Sequence, residues 1–444
     1  MRRLLLALST CAVATSAAQD ALIVGYYPSW GRWQSPAYEP RDVDFSRLTH
    51  VAWSFVWPDS QGNLTGLEDG DDPALDELVS RAHAAGAKAV VSLGGAGQCA
   101  GFGPTTRSVD RRARFCHQVR SFVRDHALDG VDLDWEYVDA PSAQDTAGYT
   151  ALVRELRDSL GRNLSLSAAL PASAWGGKWF SVEGFADSLD WLGIMTYDLT
   201  GGWDTQTGFN SPLYNNSRQG VDHAVAEVSV SSSMGYWNLT RGVPKSKLLY
   251  GQPFFGFLFT DGSFPGSAFT QNADYVAYSD IATLLPTWKI HRDDTAEVDW
   301  ASTPEGGYAT WDQPASVGLK ARWARANGYA GAIVWDLSQD ALPNAGHPLL
   351  DSLFANLRPN GTATRPRSGA FSASLSHQGR FLMARWPDSG PARLELVGLD
   401  GRRVREVRGF NGELRVDLEG IAAGAVAARL TWSGGEKRIL VGAR

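Results

Sequence analysis

Apolar and polar residues alternate along the first 357 positions in a pattern that predicts short buried strands separated by amphipathic helices. Eight segments have the length and composition of strands: 21–27, 48–56, 88–93, 128–137, 164–170, 191–197, 247–254 and 331–335. Strands that alternate with helices predict an α/β fold, and eight such units predict a (β/α)8 TIM barrel. A doubly wound open sheet is the alternative, but no glycine-rich phosphate loop opens a helix after any of these strands.

Two parts of the chain depart from this repeat. Residues 257–311, between the seventh strand and the seventh helix, are rich in aromatic residues and turns, which predicts a small α+β insertion forming one wall of a cleft. A barrel domain at 19–357 is followed by a polar linker at 358–369, and residues 370–444 show six short alternating strands. We expect this last part to be a small all-β sandwich.

Residues 1–18 have the pattern of a secretory signal peptide, with a basic start, a short apolar stretch and a small-residue cleavage site. A lipoprotein processing site at Cys11 is the alternative. The protein is therefore expected to be secreted, without a membrane span. After removal of the signal, Cys99 and Cys116 remain, either as one disulfide or as two buried thiols.

Composition argues against a nucleic-acid partner, because the net charge is −7 and no basic run occurs. The 17 tryptophans favour flat apolar surfaces, of which sugar rings are one class of partner, although a core also uses tryptophan. No cluster of histidine and cysteine has the spacing of a zinc site, and we expect neither a metal nor a cofactor.

The stretch LDGVDLDWEY (128–137) concentrates the candidate chemistry. Asp132, Asp134 and Glu136 alternate with apolar residues, so a strand would place all three acids on one face. Such close acids repel one another when ionised, and some of them must bind protons. A solvated edge strand and a divalent-metal site are the alternatives that this pattern leaves open.

In a barrel, Glu136 would lie at the C-terminal end of its strand, where chemistry takes place, and the two aspartates would raise its pKa. A glutamic acid that keeps its proton can act as the general acid for a glycosidic oxygen. Most glycosidases need a second carboxylate across the sugar, and no other strand end offers an obvious one. The 2-acetamido oxygen of an N-acetylated sugar can supply the nucleophile instead.

These acids resemble the DxxDxDxE signature of glycoside hydrolase family 18, the chitinase family, which reads here Asp129, Asp132, Asp134 and Glu136. Further motifs of that family are matched on other strands in the expected order: GYYPSW (25–30), SLGG (92–95), MTYD (195–198) and AIVWDLSQD (332–340). The resemblance covers nearly all of residues 21–357 and implies a secreted chitinase that cleaves β-1,4-N-acetylglucosamine linkages with retention.

The resemblance also implies a role for each matched residue. Glu136 is expected to act as general acid and then as base, Asp134 to orient the acetamido group, and Asp132 to serve as its proton partner. The other expected contacts come from neighbouring strands: Tyr197 as a catalytic hydrogen-bond donor to the acetamido oxygen, Trp335 as the floor of the cleavage site, and Asp198, Met195 and Tyr26 as further substrate-binding residues.

Outer sugar subsites are expected to use exposed tryptophans. Trp203 is the first candidate, and Trp53, Trp57, Trp175 and Trp179 are further ones. The insertion resembles that of the deep-cleft branch of the family, although it is shorter than in strongly processive members.

Several alternatives remain open for function. The C-terminal module loosely resembles the sorting domains of bacterial type IX secretion substrates, and a carbohydrate-binding module or a stabilising domain are its alternatives. The expected partner is chitin or a chito-oligosaccharide, bound by a monomer. An endo-β-N-acetylglucosaminidase and a non-catalytic lectin are the other functions considered, and the presence of Glu136 disfavours the lectin.

Overall fold

The computed structural model describes residues 21–68, 71–137, 141–215, 228–270, 273–343 and 346–359, together with seven strands between residues 374 and 443. The chain divides into two compact units, residues 1–364 and 365–444. The predicted signal peptide and most of the predicted linker lie outside the described residues.

Eight parallel strands of the first unit close into a barrel, which confirms the predicted fold. In chain order the strands are β1 (Leu22–Pro28), β2 (His50–Pro58), the two-residue β3 (Leu64–Thr65) beside β2, β4 (Lys88–Gly94), β5 (Gly130–Asp134), β6 (Ser165–Pro171), β7 (Trp191–Met195), β8 (Leu248–Pro253) and, after the insertion, β14 (Gly331–Trp335). Strand β1 pairs with both β2 and β14, and these two pairings close the barrel.

Helices follow the strands and cover the outside of the barrel. They are α1 (Asp71–Ala85), α2 (Phe102–Thr106), α3 (Val109–Asp125), α4 (Ala143–Leu160), α5 (Ala174–Gly177), α6 (Val230–Gly235), α8 (Pro314–Ala326) and α9 (Pro348–Leu357). Local capping fixes where they begin. In α4, for example, Ser142 and Asp145 form a capping box that satisfies the first free backbone N–H groups.

The barrel strands carry apolar residues on both faces, because one face fills the barrel interior and the other packs under the helices. On β2 the outward Trp53 is fully buried in the core beneath the helices, so its predicted role in sugar stacking is wrong. The strand register shifts between Trp53 and Val56. After this shift, Phe55 and Trp57 point into the barrel, where they pack in the interior cluster that contains Tyr26. In a regular strand, Trp57 would lie on the same face as Trp53 because the two are four residues apart.

Between β8 and α8 lies a five-stranded antiparallel sheet with a short helix, an α+β insertion that begins two residues earlier than expected. Its elements are β9 (Phe255–Phe259), β10 (Ala273–Ala277), α7 (Tyr278–Leu284), β11 (Lys289–Asp293), β12 (Val298–Ser302) and β13 (Tyr308–Trp311). An aromatic cluster that includes Phe255, Phe257 and Tyr308 packs one face of this sheet against Tyr197 of the barrel.

The second unit contains a three-stranded and a four-stranded antiparallel sheet. Its strands are β15 (Ser374–Gln378), β16 (Phe381–Arg385), β17 (Ala392–Gly398), β18 (Arg403–Gly409), β19 (Glu413–Asp417), β20 (Gly424–Trp432) and β21 (Gly435–Ala443). Alternate residues such as Leu394, Leu396 and Leu430 are buried, as expected for strands with one inward face. Strand β18 is not among the six predicted strands. Its sequence, RVREVRG, consists mostly of arginine and glutamate, so it lacks the apolar composition that marks the other strands.

Cys99 and Cys116 are both buried free thiols, so the second of the two alternatives for this pair holds. Among the described helices, none combines the length and the hydropathy needed to cross a bilayer.

Candidate active site

Asp132 lies inside the barrel and accepts hydrogen bonds from three hydroxyl groups on three different strands. Tyr26 Oη of β1 donates to Oδ2 over 2.8 Å, Ser92 Oγ of β4 donates to Oδ2 over 2.9 Å, and Ser167 Oγ of β6 donates to Oδ1 over 2.6 Å. Burial raises the pKa of Asp132, and the three donors oppose that rise because they stabilise the carboxylate. Asp132 is therefore a fixed acceptor at the centre of the barrel.

Asp134 is the next inward acid on β5, and it is the most perturbed of the three. Burial raises its pKa well above the usual range, and the nearby charges of Glu136 and Asp132 raise it further. Its Oδ1 atom is buried and has no hydrogen-bond partner among the described residues. Burial and the neighbouring charges thus favour the protonated form of Asp134, and its Oδ1 is a buried polar atom without a partner among the described residues.

Glu136 lies two residues beyond the end of β5, and the alternation of the strand continues to it. Trp135 is buried and stacks on Phe102, with ring centroids 4.9 Å apart and an interplanar angle of 14°. The Glu136 side chain is half-buried, and burial raises its pKa. We expected the aspartates to cause this rise, but desolvation is its main cause, while the mutual repulsion is expressed chiefly at Asp134.

Residues that follow β7 form the facing wall. Tyr197 is buried, and its ring meets Phe255 of the insertion edge to face at 5.8 Å. The backbone N–H of Asp198 donates to Asn210 Oδ1 over 2.9 Å, and Asn210 Nδ2 donates to the carbonyl of Phe255 over 3.1 Å. Asn210, which lies outside the sequence motifs of the site, thereby connects this wall with the insertion.

The carboxyl group of Asp198 interacts electrostatically with that of Glu136, which follows β5. Although part of the residue is exposed, the surrounding protein desolvates its carboxyl group, and with the charge of Glu136 this raises its pKa to about 7. A second carboxyl group therefore does lie near Glu136, which the sequence had not indicated. Near neutral pH, part of the Asp198 population is therefore protonated, and that part cannot act as a nucleophile.

Trp335, at the end of β14, lies among aromatic side chains. Its ring stacks on Phe55 with centroids 5.6 Å apart and an angle of 18°, and it meets the ring of Tyr26 edge to face at 5.8 Å. Trp30 lies 6.1 Å from it. The hydroxyl of Tyr275, on β10 of the insertion, accepts a hydrogen bond from Gln339 Nε2 over 2.8 Å.

Met195 connects the two halves of this site. It packs against both the interior cluster that contains Tyr26 and the insertion cluster that contains Tyr197. The structure thus brings Tyr26, Asp132 and Asp134 into direct electrostatic contact, and it places Tyr197 within the field of Asp134 and Glu136.

The exposed aromatic residues differ in part from those expected. Trp203 is 64% exposed and touches Phe257 edge to face at 5.8 Å, and Trp175 is 74% exposed on α5. Trp57 and Trp179 are only partly exposed and pack against the barrel clusters. Trp30 and Trp33, in the segment SWGRW after β1, are also exposed, but they are not among the tryptophans expected to stack on sugars.

The described residues contain no group of three or more His, Cys, Asp or Glu side chains arranged to hold a metal ion. The hydroxyl donors around Asp132 also differ from the carboxylate and carbonyl oxygens that usually surround hard cations.

The chain belongs to the Glycosyl hydrolases family 18, whose pattern matches residues 22–340. The match covers the whole barrel from β1 to the segment after β14, including the insertion. The protein is a glycoside hydrolase of this family.

Similar proteins share this region. Chitotriosidase-1 of Mus musculus is 30% identical over 382 residues, which cover 78% of this chain and 80% of that protein. Among solved structures, catalytic domain 2 of the Group II chitinase of Ostrinia furnacalis, in complex with (NAG)5, is 25% identical, with a TM-score of 0.71 over 77% of this chain and 97% of that one. Human YKL-39, described as a pseudo-chitinase with retained chitooligosaccharide binding, shares the fold at 23% identity, with a TM-score of 0.68 over 76% of this chain and 99% of that one.

The curated relatives vary widely in length, and the chain spans from 16% to 86% of each of those compared. The family match ends at residue 340, before the second unit. The resemblance of that unit to a sorting domain stays a prediction.

Proposed function

We propose that the protein is a chitinase that hydrolyses β-1,4-N-acetylglucosamine linkages by a retaining, substrate-assisted mechanism. The observation that carries the proposal is the buried carboxyl group of Asp134 near Glu136, with one oxygen, Oδ1, that has no hydrogen-bond partner among the described residues. An acetamido group supplies both an N–H donor for that oxygen and a carbonyl oxygen that can attack the sugar carbon.

In the first step, Glu136 gives its proton to the glycosidic oxygen while the bond from that oxygen to C1 breaks. The acetamido oxygen forms a new bond to C1, which yields an oxazolinium ion and releases the leaving sugar with a free hydroxyl group. Asp134, which loses its proton to solvent when the sugar binds, is then a carboxylate and stabilises the positive charge that develops on the acetamido nitrogen. Tyr197 donates a hydrogen bond to the acetamido oxygen and holds it for attack.

In the second step, Glu136 is a carboxylate and acts as the base. It takes a proton from water while the water oxygen adds to C1 and the bond from C1 to the acetamido oxygen breaks, which restores the protonated Glu136. Two inversions at C1 leave the configuration of the sugar unchanged, so the first product is the β-anomer.

The burial that raises the pKa of Glu136 supports its role as the acid, since a raised pKa favours the protonated form. Trp335, within its aromatic surroundings, is suited to the apolar face of the sugar. The exposed Trp203 is suited to an outer subsite.

The direct test compares wild type with Glu136→Gln on defined chitin oligomers. We expect kcat to fall on the order of a thousandfold while oligosaccharide binding persists, because the amide keeps the shape but cannot donate the acidic proton. A variant that turns over at nearly the wild-type rate would show that another group is the acid.

Two substrates distinguish this mechanism from one in which Asp198 is the second carboxylate. Oligomers without the N-acetyl group should be inert, and the initial product from chitin oligomers should be the β-anomer by NMR. Cleavage of the deacetylated oligomer, or an initial α-anomer, would contradict the role of the acetamido group.

We also propose that the protein is secreted and acts as a monomer. The signal-like residues 1–18 support export. Sequencing the N-terminus of protein recovered from the medium tests export, and light scattering tests the monomer. An N-glycan substrate serves as the control for the alternative endo-β-N-acetylglucosaminidase activity.

A further inference from the structure

Cys99 lies directly beside the backbone of the proposed general acid. Its sulfur accepts a hydrogen bond from the backbone N–H of Glu136 over 3.2 Å. The same thiol lies 3.3 Å from the carbonyl oxygen of Gly95 and 3.6 Å from that of Asp134, to which it can donate. Cys99 is only 7% exposed, so these contacts form inside the protein.

The position of Glu136 explains why such a contact matters. Strand β5 ends at Asp134, so Glu136 is past the last ladder pair of the barrel. On one side, the buried Trp135 ring holds the segment by stacking on Phe102. On the other side, the loop after β4 holds it, since Gly95 N–H donates to the carbonyl of Asp134 over 2.9 Å and Cys99 receives the N–H of Glu136.

Burial raises the pKa of the Cys99 thiol to about 12. The sulfur therefore keeps its hydrogen at physiological pH, so it can accept from Glu136 and donate to a carbonyl at the same time. It also carries no charge that would compete with the acids nearby.

We infer that Cys99 is a positioning residue for catalysis, which fixes the backbone of Glu136 and thereby the place from which its carboxyl group reaches the glycosidic oxygen. This inference rests on the proposed function of Glu136. Cys99 does not touch the substrate, and it acts through the peptide that it holds.

The chain offers a matched control. Cys116 lies on α3, is 5% exposed, and burial also raises the pKa of its thiol to about 12. Its thiol is placed among helix residues outside the barrel. Cys99→Ala and Cys116→Ala therefore remove the same atom from equally buried sites, only one of which borders Glu136.

The experiment measures kcat, KM and the pH dependence of kcat for wild type, Cys99→Ala, Cys99→Ser and Cys116→Ala on a soluble chitin oligomer. For Cys99→Ala we expect kcat to fall about ten- to a hundredfold with little change in KM, since a misplaced catalytic group costs rate more than binding. The alkaline limb of its pH profile should move to lower pH, because a displaced and better solvated Glu136 loses its proton more easily. Cys99→Ser should recover part of kcat, because its oxygen can still accept from the N–H of Glu136.

The outcomes separate the inference from the proposed function. A wild type without turnover overturns both. An active wild type with Cys99→Ala equal to Cys116→Ala in kcat and pH profile overturns the positioning role alone, as does a loss that appears only as unfolding or as a higher KM. If Cys99→Ala does not fold, a reduced kcat and shifted alkaline limb in Cys99→Ser support the inference, and an unchanged kcat and limb overturn it.

Discussion

At the scale of single residues, neighbours in sequence have different environments because a strand alternates its faces. Tyr26 points into the barrel and donates to Asp132, whereas Tyr27 points outward and donates to the backbone carbonyl of Tyr38 over 3.0 Å. These two adjacent tyrosines offer a matched pair for testing the inner hydrogen-bond network.

We predict that Tyr26→Phe lowers kcat about ten- to a hundredfold, because a hydrogen bond to a charged group contributes about 1.5–3 kcal/mol. Tyr27→Phe loses a hydroxyl of similar burial but none of the acid network, and its kcat should stay within about twofold of wild type. Steady-state kinetics on one chitin oligomer gives kcat for both variants and for wild type. Equal losses in the two variants would mean that the Asp132 network does not support turnover.

A second prediction at this scale concerns pH and Asp198. Its pKa is raised to about 7, above the value of an aspartate in the unfolded chain, near 3.9. Between these two values the folded state binds more protons than the unfolded state, so the contribution of Asp198 to stability falls as pH rises through this window. Asp198→Asn has no such charge to bury.

The melting temperature of Asp198→Asn relative to wild type should therefore increase from pH 5 to pH 8. Thermal unfolding of both proteins at these pH values measures the difference. Because part of Asp198 is exposed, solvent screening keeps the effect modest. A difference that stays constant or declines with pH would contradict the raised pKa.

At the scale of elements, the end of β4 illustrates how closely two strands approach at the site. Gly94 has a φ of +118°, and a Cβ atom there would lie 2.1 Å from the carbonyl oxygen of Asp134. Gly97 also has a positive φ, of +80°, but a Cβ there would meet nothing within 4 Å.

We predict that Gly94→Ala lowers the free energy of unfolding by about 3 kcal/mol or more, since two backbones must separate in addition to the strained φ. Gly97→Ala carries only the strained φ and should cost about 1–2 kcal/mol. Denaturant unfolding of both variants gives the comparison. Equal destabilisation would show that the close approach to Asp134 is relieved without cost.

The sequence predicted the barrel strands well because most of them are apolar on both faces, a pattern that can be recognised without knowing which strands pair. It failed where the answer depends on register. Trp53 and Trp57 lie on opposite faces of β2, because a register shift between Trp53 and Val56, which the sequence does not reveal, interrupts the alternation. The donors Ser92 and Ser167 meet Asp132 only because their strands align beside β5.

The acids of the site were predictable for a different reason. Their spacing on one strand sets their common face, so local geometry was sufficient for Asp132, Asp134 and Glu136. Asn210, Tyr275 and Cys99 come from loops and the insertion, and no periodic pattern connects them with the acids. Only the closed barrel brings these segments together.

At the scale of the whole molecule, the two compact units predict separable functions. A chain that ends at Pro359 keeps the described barrel and insertion, so its kcat on soluble oligomers should stay within about twofold of the full chain. Comparing both forms for export and for binding to insoluble chitin then identifies the role of the second unit. Lost export indicates a sorting domain, weaker chitin binding indicates a carbohydrate-binding module, and neither effect indicates a stabilising domain.

The ionisation of Asp134 should make the enthalpy of ligand binding depend on the buffer. The role proposed for Asp134, stabilising the positive charge on the acetamido nitrogen, needs its ionised form, whereas burial favours its protonated form in the free enzyme. The three hydroxyl donors around Asp132 oppose transfer of this proton to that residue. Ligand binding should therefore release a proton into solution, so titration calorimetry should give a binding enthalpy that varies with the ionisation enthalpy of the buffer. The affinity for the sugar should also rise with pH over the range in which Asp134 of the free enzyme is protonated, because protons and the sugar then compete for the same carboxyl group.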